Sequence, residues 1–130
     1  MPAAAAFDYA VVRVVPRVDR DELLNAGVIL FCAERDYLGC ALTLDQARLR
    51  ALAPDLDAGA ALAVARHLDG IRAICAGDPS AGPIAALSAS ERFHWLTAPR
   101  STMVQTSPIH AGRCDDPPAA LERLFHAVMG

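Results

Sequence analysis

The sequence predicts an α+β fold, in which a small antiparallel sheet packs with about four helices. Segments typical of strands cluster in the first 44 residues, and segments with helical periodicity dominate the remainder. A polar break at residues 34–36 separates two apolar runs, as in a β-hairpin. The length of 130 residues fits a single domain over residues 1–130, and we expect residues 1–6 to be a disordered start.

Aromatic and β-branched residues place an N-terminal strand, a hairpin and a later short strand at residues 7–15, 28–33, 37–44 and 101–106. The first strand is largely apolar on both faces, and its Arg13 needs a partner or a route to water. The connector at residues 17–25 is charged, and one helical turn is expected at residues 21–24. Residues 108–113 are predicted to be irregular.

Capping residues and prolines delimit the helices, which are predicted at residues 46–53, 58–76, 89–98 and from Pro117 onward. Ser88 and Glu91 form a capping box, and Gly77 provides a left-handed stop for the longest helix. The apolar stripe of that helix is Ala61, Val64, Leu68, Ile71 and Cys75, and that of the last helix is Leu121, Leu124, Phe125 and Val128. The nearby His67 is interpreted as a partly buried surface residue.

The charge balance excludes several classes of protein. A net charge of −3 and a pI of about 5.7 disfavour nucleic-acid binding, which requires a basic surface. The sequence has no lysine, which excludes a Schiff-base lysine and a Walker-type phosphate loop. The longest apolar runs are too short to cross a membrane, and the start lacks the basic region of a secretory signal. We therefore expect a cytoplasmic protein without a membrane partner.

The four cysteines do not have the spacing of a metal site. Cys32, Cys40 and Cys75 lie in apolar runs, where they are interpreted as small buried residues in a reducing compartment. Cys114 lies among polar residues, and a catalytic role stays open for it alone. No metal ligand set, nucleotide loop or other cofactor motif is found, so no cofactor is expected.

Residues 91–116 concentrate hydrogen-bonding side chains in a chain that is otherwise rich in alanine. Between Ser88 and Cys114 there are three arginines and one glutamate, a local net charge of +2. Because arginine offers a planar fork of donors, this stretch is a candidate site for a phosphate or carboxylate. The candidate ligand-binding residues are Arg92, His94, Arg100, Ser101, Thr102, Gln105 and His110.

Two other interpretations of this stretch stay open. His94 or His110 has the chemistry for acid–base catalysis near neutral pH, although no nucleophile motif accompanies them. Arg100 would instead be structural if it paired with an internal acidic residue, and ion-pair networks often imitate functional sites. Arg13, Arg17 and Arg20 either extend the anion site or belong to a solvated loop, and the interleaved acids favour the loop.

Three segments, residues 9–31, 91–112 and 114–125, resemble a bacterial family, domain-of-unknown-function family three-zero-three-seven. The resemblance covers nearly the whole chain. It implies no activity, cofactor or catalytic residue. Some members are encoded beside a protein with a kinase-like fold related to HipA toxins, which implies a role as a partner or regulator of such a kinase.

These observations favour a non-catalytic accessory or partner-binding protein, with a HipA-like kinase or a second copy of the chain as the partner. The alternative is a protein, or an enzyme, that binds a small anionic ligand through the arginine-rich stretch. The absence of a catalytic signature weighs against an enzyme.

Overall fold

The computed structural model describes residues 4–17 and 22–130. Its strands are β1 (Ala5–Val14), β2 (Leu24–Cys32), β3 (Tyr37–Leu42), β4 (Val104–Thr106) and β5 (His110–Cys114). Its helices are α1 (Gln46–Leu52), α2 (Ala58–Ala76), α3 (Ala89–Thr97) and α4 (Pro117–Met129), and two 3₁₀ turns, Pro79–Ala81 and Pro83–Ala86, connect α2 to α3. The predicted α+β class is therefore confirmed. None of the helices within the described residues is long and apolar enough to cross a membrane.

Strand β1 lies at the centre of an antiparallel sheet. One edge of β1 pairs with β2, which pairs in turn with β3. The other edge pairs with β5 along its first half and with β4 along its second half. Ser107 closes the gap between these two strands: its N–H donates to the Val11 carbonyl (2.8 Å), and its Oγ accepts from the Val11 N–H (2.9 Å).

A bulge in β2 sets the register of the sheet. Val12 pairs with Gly27, but Arg13 pairs with Asn25, so β2 carries one extra residue. Gly27 has a φ of +145°, and a Cβ there would collide with the Ala41 carbonyl of β3. Only glycine suits this position, and the bulge turns Asn25 onto the same face as Arg13.

Each face of the sheet is covered by helices. One face, with Val12, Val14 and Ile29, packs against α1, α2 and α3, whose buried residues include Leu49, Leu68 and Phe93. The other face, with Phe7, Val28 and Leu30, packs against Leu121 and its neighbours on α4. The predicted stripe of α2 makes these contacts, as do Leu121, Leu124 and Val128 of α4, whereas the predicted Phe125 is not in the cluster and lies against His126.

Four differences from the sequence analysis have physical causes. Residues 110–113, predicted to be irregular, form most of β5, because pairing with β1 supplies the backbone hydrogen bonds that their composition does not favour. Leu24 begins β2 and is not part of a helical turn; the rest of that turn includes Asp21, which lies outside the described residues. Ala5 and Ala6, assigned to the disordered start, belong to β1. The strand predicted at residues 101–106 begins only at Val104, because the chain bends at Thr102 and Met103, although the Met103 carbonyl still accepts from the Val15 N–H.

Candidate functional site: the α2–β4 groove

A surface groove lies between α2 and the segment that enters β4. It has a volume of about 430 Å³ and is lined by Ala63, Val64, His67, Ser101, Thr102, Met103 and Val104. We call it the α2–β4 groove. Ser101 and Thr102 belong to the predicted ligand-binding set, and Arg100 immediately precedes them. The volume lies within the range of about 300–1,000 Å³ that is typical of ligand sites.

The end of α3 positions Arg100 beside this groove. The capping box of Ser88 and Glu91 starts α3, and the helix ends at Thr97, two residues before Pro99. The chain then returns, so that the Arg100 guanidinium donates to the carbonyls of Leu96 (3.2 Å) and Trp95 (2.6 Å). A cation in this place stabilises the negative end of the helix dipole.

Arg100 also covers the indole ring of Trp95, with its Cζ 4.4 Å from the ring centroid. Trp95 is 42% exposed, so part of its large apolar surface is accessible to a partner. The stacking and the two hydrogen bonds fix both side chains in one arrangement. Arg100, the residue before Ser101 of the groove lining, thus stacks on an exposed aromatic ring.

His67 lies in the wall of the groove and is influenced by the charge of Arg100. Its burial, and secondly the positive charge of Arg100, lower the pKa of His67 below its usual value. Arg100 is therefore close enough to act on a residue of the groove wall. Since the lining contains no acidic side chain, the groove favours an anionic group over a cationic one.

Other predicted site residues on α3 lie away from the groove. Arg92 donates to the carbonyls of Ile74 (2.8 Å), Cys75 (2.9 Å) and Leu87 (3.1 Å), and so joins the end of α2 to the start of α3. His94 is exposed, with its Nδ1 2.7 Å from the Ser90 carbonyl. Both contacts are within the protein and leave the two side chains separate from Arg100.

Gln105 and His110 lie on the opposite face of the sheet, where Gln105 pairs with Arg13 and His110 with Tyr9. The His110 ring lies 5.3 Å from the Tyr9 ring, and the Gln105 amide donates to the Thr102 carbonyl. The buried Nε of Arg13 has no hydrogen-bond partner among the described residues, although the sequence indicated that this arginine needs one. The seven predicted residues therefore occupy at least three places, and their role in binding stays a prediction.

The remaining sequence candidates are Arg17, Arg20 and Cys114. Arg17 forms an ion pair with Asp55, and Arg20 lies outside the described residues. Cys114 is buried, and burial, with a smaller contribution from Cys32, raises the pKa of its thiol. Such a thiol is a poor nucleophile, because the thiolate is the reactive form. In the part of the chain that the structure describes, no group of three His, Cys, Asp or Glu side chains could hold a metal ion.

Sequence reasoning missed His67, which lines the groove, and Trp95, on which Arg100 stacks. His67 was interpreted as a surface residue of the α2 helix, and Trp95 as part of the short helix after the capping box. No local pattern reveals them, because one comes from α2 and the other from the end of α3. A smaller concavity of about 290 Å³ lies between α1 and the start of α2, but its lining includes none of the predicted residues.

Comparison with known proteins supports one assignment. A family model described as "Protein of unknown function (DUF3037)" matches residues 9–129. This match confirms the resemblance that the three sequence segments indicated. No curated protein and no solved structure matches the chain.

Proposed function

Because this chain belongs to the DUF3037 family, whose description states no activity, we propose a function from its own surface. The protein is a non-catalytic partner-binding protein, and its partner places a segment with apolar and anionic groups in the α2–β4 groove. The observation that carries this proposal is the exposed Trp95 stacked under Arg100, which directly precedes the groove residue Ser101. A cytoplasmic location belongs to the same proposal, and the four free cysteines support it.

The composition of the groove supports binding to a protein segment. Tryptophan and arginine are the residues that most often dominate the energy of protein interfaces. Ala63, Val64 and Met103 offer an apolar wall, and Arg100 uses two of its five N–H donors inside the protein. The remaining donors are available to a carboxylate or phosphate on the partner.

The polar groups of the groove support binding more than catalysis. The Thr102 hydroxyl donates to the Val104 carbonyl (2.7 Å), which keeps it from acting as an activated nucleophile. Within the described residues, no hydroxyl in the groove is hydrogen-bonded to His67. The site therefore lacks the paired nucleophile and base that acyl or phosphoryl transfer requires.

The first partner to test is a HipA-like kinase of the kind that is encoded beside some members of the family. We would measure its affinity for the wild-type protein and for the Trp95→Ala variant by biolayer interferometry. Loss of a central tryptophan should weaken binding by about 30-fold or more. The matched control is Leu87→Ala, which removes another exposed apolar side chain just before the N-cap of α3.

The two variants give distinct outcomes. A large loss for Trp95→Ala with an unchanged Leu87→Ala supports the proposed surface. Equal affinities for all three proteins would show that the kinase binds elsewhere, and the groove proposal would be abandoned. If the kinase does not bind the wild-type protein at micromolar concentrations, it is not the partner. Thermal melting of each variant ensures that the comparison is made between folded proteins.

A small anionic ligand is the second candidate, and the effect of Arg100 on the pKa of His67 favours it. A thermal-shift screen with phosphate, carboxylates and nucleotides tests this function directly. A ligand at 100 times its dissociation constant stabilises the folded state by about 2.7 kcal/mol. The shift should disappear in Arg100→Gln and persist in Arg48→Gln, which neutralises an exposed arginine on α1. No shift with any of these anions would leave the protein partner as the sole candidate.

A further inference from the structure

Strand β3 forms a free edge of the sheet. It pairs with β2 on one side, and no other described strand pairs with its opposite side. All six of its residues are partly exposed, and its sequence contains neither a charged residue nor a proline. Natural proteins commonly protect an edge strand with such residues, because its unpaired backbone groups otherwise attract another strand. An uncharged edge of this length is therefore suited to binding a partner strand.

Two hydrogen bonds identify the backbone groups of β3 that face outward. The Thr43 N–H, next to β3, donates to the Ala26 carbonyl of β2 (2.8 Å). Because the hydrogen-bonding direction alternates along a strand, every second residue of β3 faces away from β2. These residues are Leu38, Cys40 and Leu42. The Leu42 carbonyl accepts accordingly from the Arg72 Nη2 of α2 (2.9 Å), and apart from this contact the outward groups have no backbone partner within the described residues.

The two ends of β3 have charged side chains of opposite sign. Asp36 precedes the strand, and its exposed carboxylate forms none of the ion pairs between described residues. Arg72 lies at the other end, where it pairs with Asp69 (2.7 Å) and uses two of its five N–H donors within the protein. A second β3 in antiparallel orientation would bring its Asp36 towards this arginine. The edge is thus complementary to itself in charge as well as in hydrogen bonding.

We propose that β3 binds the β3 strand of a second copy of this chain, so that two sheets join into one antiparallel sheet. The two-fold axis passes between the two Cys40 residues, and Leu38 of each copy pairs with Leu42 of the other. In this register all outward residues are paired, and each pair exchanges two N–H···O bonds with its Cα atoms about 5.5 Å apart. The Leu42 carbonyl accepts from Arg72 and from the second copy, since it has two lone pairs. Both edges are used, so the assembly closes as a dimer.

The dimer goes beyond the function proposed for the α2–β4 groove and does not depend on it. Strands β3 and β4 lie at opposite edges of the sheet, so the groove is not part of the dimer interface. Each dimer has two grooves, and a partner with two binding segments gains avidity from them. Because the oligomeric state is measured without any partner, the two proposals can fail separately.

The first experiment measures the molar mass of the full-length protein by sedimentation equilibrium at micromolar concentrations, with a reducing agent present. We expect a reversible change from the chain mass of 13.7 kDa to twice that value as the concentration rises. Amide hydrogen exchange in the same samples locates the interface. The amides of Leu38, Cys40 and Leu42 should exchange more slowly in the dimer, whereas Gly39 and Ala41, which are already bonded to β2, should not change.

Charge reversal tests the register. Arg72→Glu and Asp36→Arg each place like charges together across the interface, and each should raise the dimer dissociation constant at least about tenfold. The double variant restores opposite charges and should restore most of the affinity. The matched control is Arg113→Glu, which reverses an exposed charge on β5 at the other edge of the sheet and should leave the affinity unchanged.

A proline at the two-fold axis tests the backbone pairing. Cys40→Pro removes an N–H that faces away from β2, so the internal sheet keeps its hydrogen bonds while the dimer should be lost. Thermal melting checks that this variant folds. If it does not fold, the charge variants decide the question, because both of their positions are exposed.

Three results would overturn the proposal. The first is a protein that stays monomeric at every micromolar concentration. The second is a dimer that slows amide exchange on β5 and leaves the β3 amides unchanged. The third is a double charge variant that dimerises no better than the single variants, because Arg72 and Asp36 would then not face each other across the interface.

Discussion

Replacing Ser107 by alanine removes the hydroxyl that joins β1 to the gap between β4 and β5. Ser107 is 3% exposed, and its Oγ accepts a hydrogen bond from the Val11 N–H (2.9 Å) while donating to the Pro108 carbonyl (2.9 Å). Pro108 has no N–H, and β4 has already ended, so the hydroxyl takes the place of a strand partner. The alanine variant should therefore leave a backbone donor of the central strand without a partner.

The size of the effect follows from that loss. An unsatisfied buried donor costs about 1–3 kcal/mol, and we expect Ser107→Ala to lower the free energy of unfolding by about 2 kcal/mol. For 130 residues the entropy of unfolding is about 0.27 kcal/mol/K, so Tm should fall by about 7 °C. Urea titration at equilibrium measures the first quantity, and a thermal melt measures the second.

Two further observations decide whether the reasoning is right. The Val11 amide should exchange its hydrogen much faster in Ser107→Ala, because it loses its acceptor. Other amides of β1 keep their hydrogen bonds and should exchange at unchanged rates. Ser90→Ala, which removes an exposed hydroxyl on α3, should change the stability by less than about 0.5 kcal/mol. A similarly small change for Ser107→Ala, with Val11 still protected, would refute the role assigned to the hydroxyl.

Three other predictions concern charged side chains. Arg92→Met should destabilise the protein by about 2 kcal/mol in urea titration, because three carbonyls lose a charged donor; a loss below about 0.5 kcal/mol would contradict this role. Arg13→Met should raise stability by about 1 kcal/mol, since it removes a buried donor without a partner, and a clear decrease would indicate that Arg13 is satisfied. The pKa of His67 is lower in the folded state than in the unfolded state. Its contribution to the free energy of unfolding is therefore complete above the ordinary pKa of about 6.5 and is lost as pH falls below it. Urea midpoints should thus decrease from about pH 7 to about pH 5 more in the wild type than in His67→Gln, and parallel decreases would exclude this effect.

The fold class could be predicted because its signals are local. Asp45 and Asp57 accept hydrogen bonds from the first turns of α1 and α2, and Ser88 and Glu91 form the predicted capping box. Gly77 takes the left-handed conformation that ends α2, with a φ of +68°. Each of these signals acts over a few residues, so the sequence alone displays it.

Strand β5 and the bulge could not be predicted, because their cause is distant in the sequence. The segment from His110 to Cys114 has no strong strand preference and is held by β1, about 100 residues earlier. Gly112 fits there because the ring of Phe7 lies over it from the neighbouring strand. A pattern search over short windows does not detect such pairings.

The candidate sites show the same division between local and long-range information. The sequence by itself determined the fold class, the helix ends, the acidic charge balance and the arginine-rich stretch that contains Arg100. Only the tertiary structure decided that Arg92 serves the end of α2 whereas Arg100 lies beside the groove with His67. It also decided that Cys40 of β3 and Cys75 of α2 belong to the same apolar cluster. The physical reason is that a helix cap depends on hydrogen bonds within one turn, whereas a site depends on which faces of distant elements pack together.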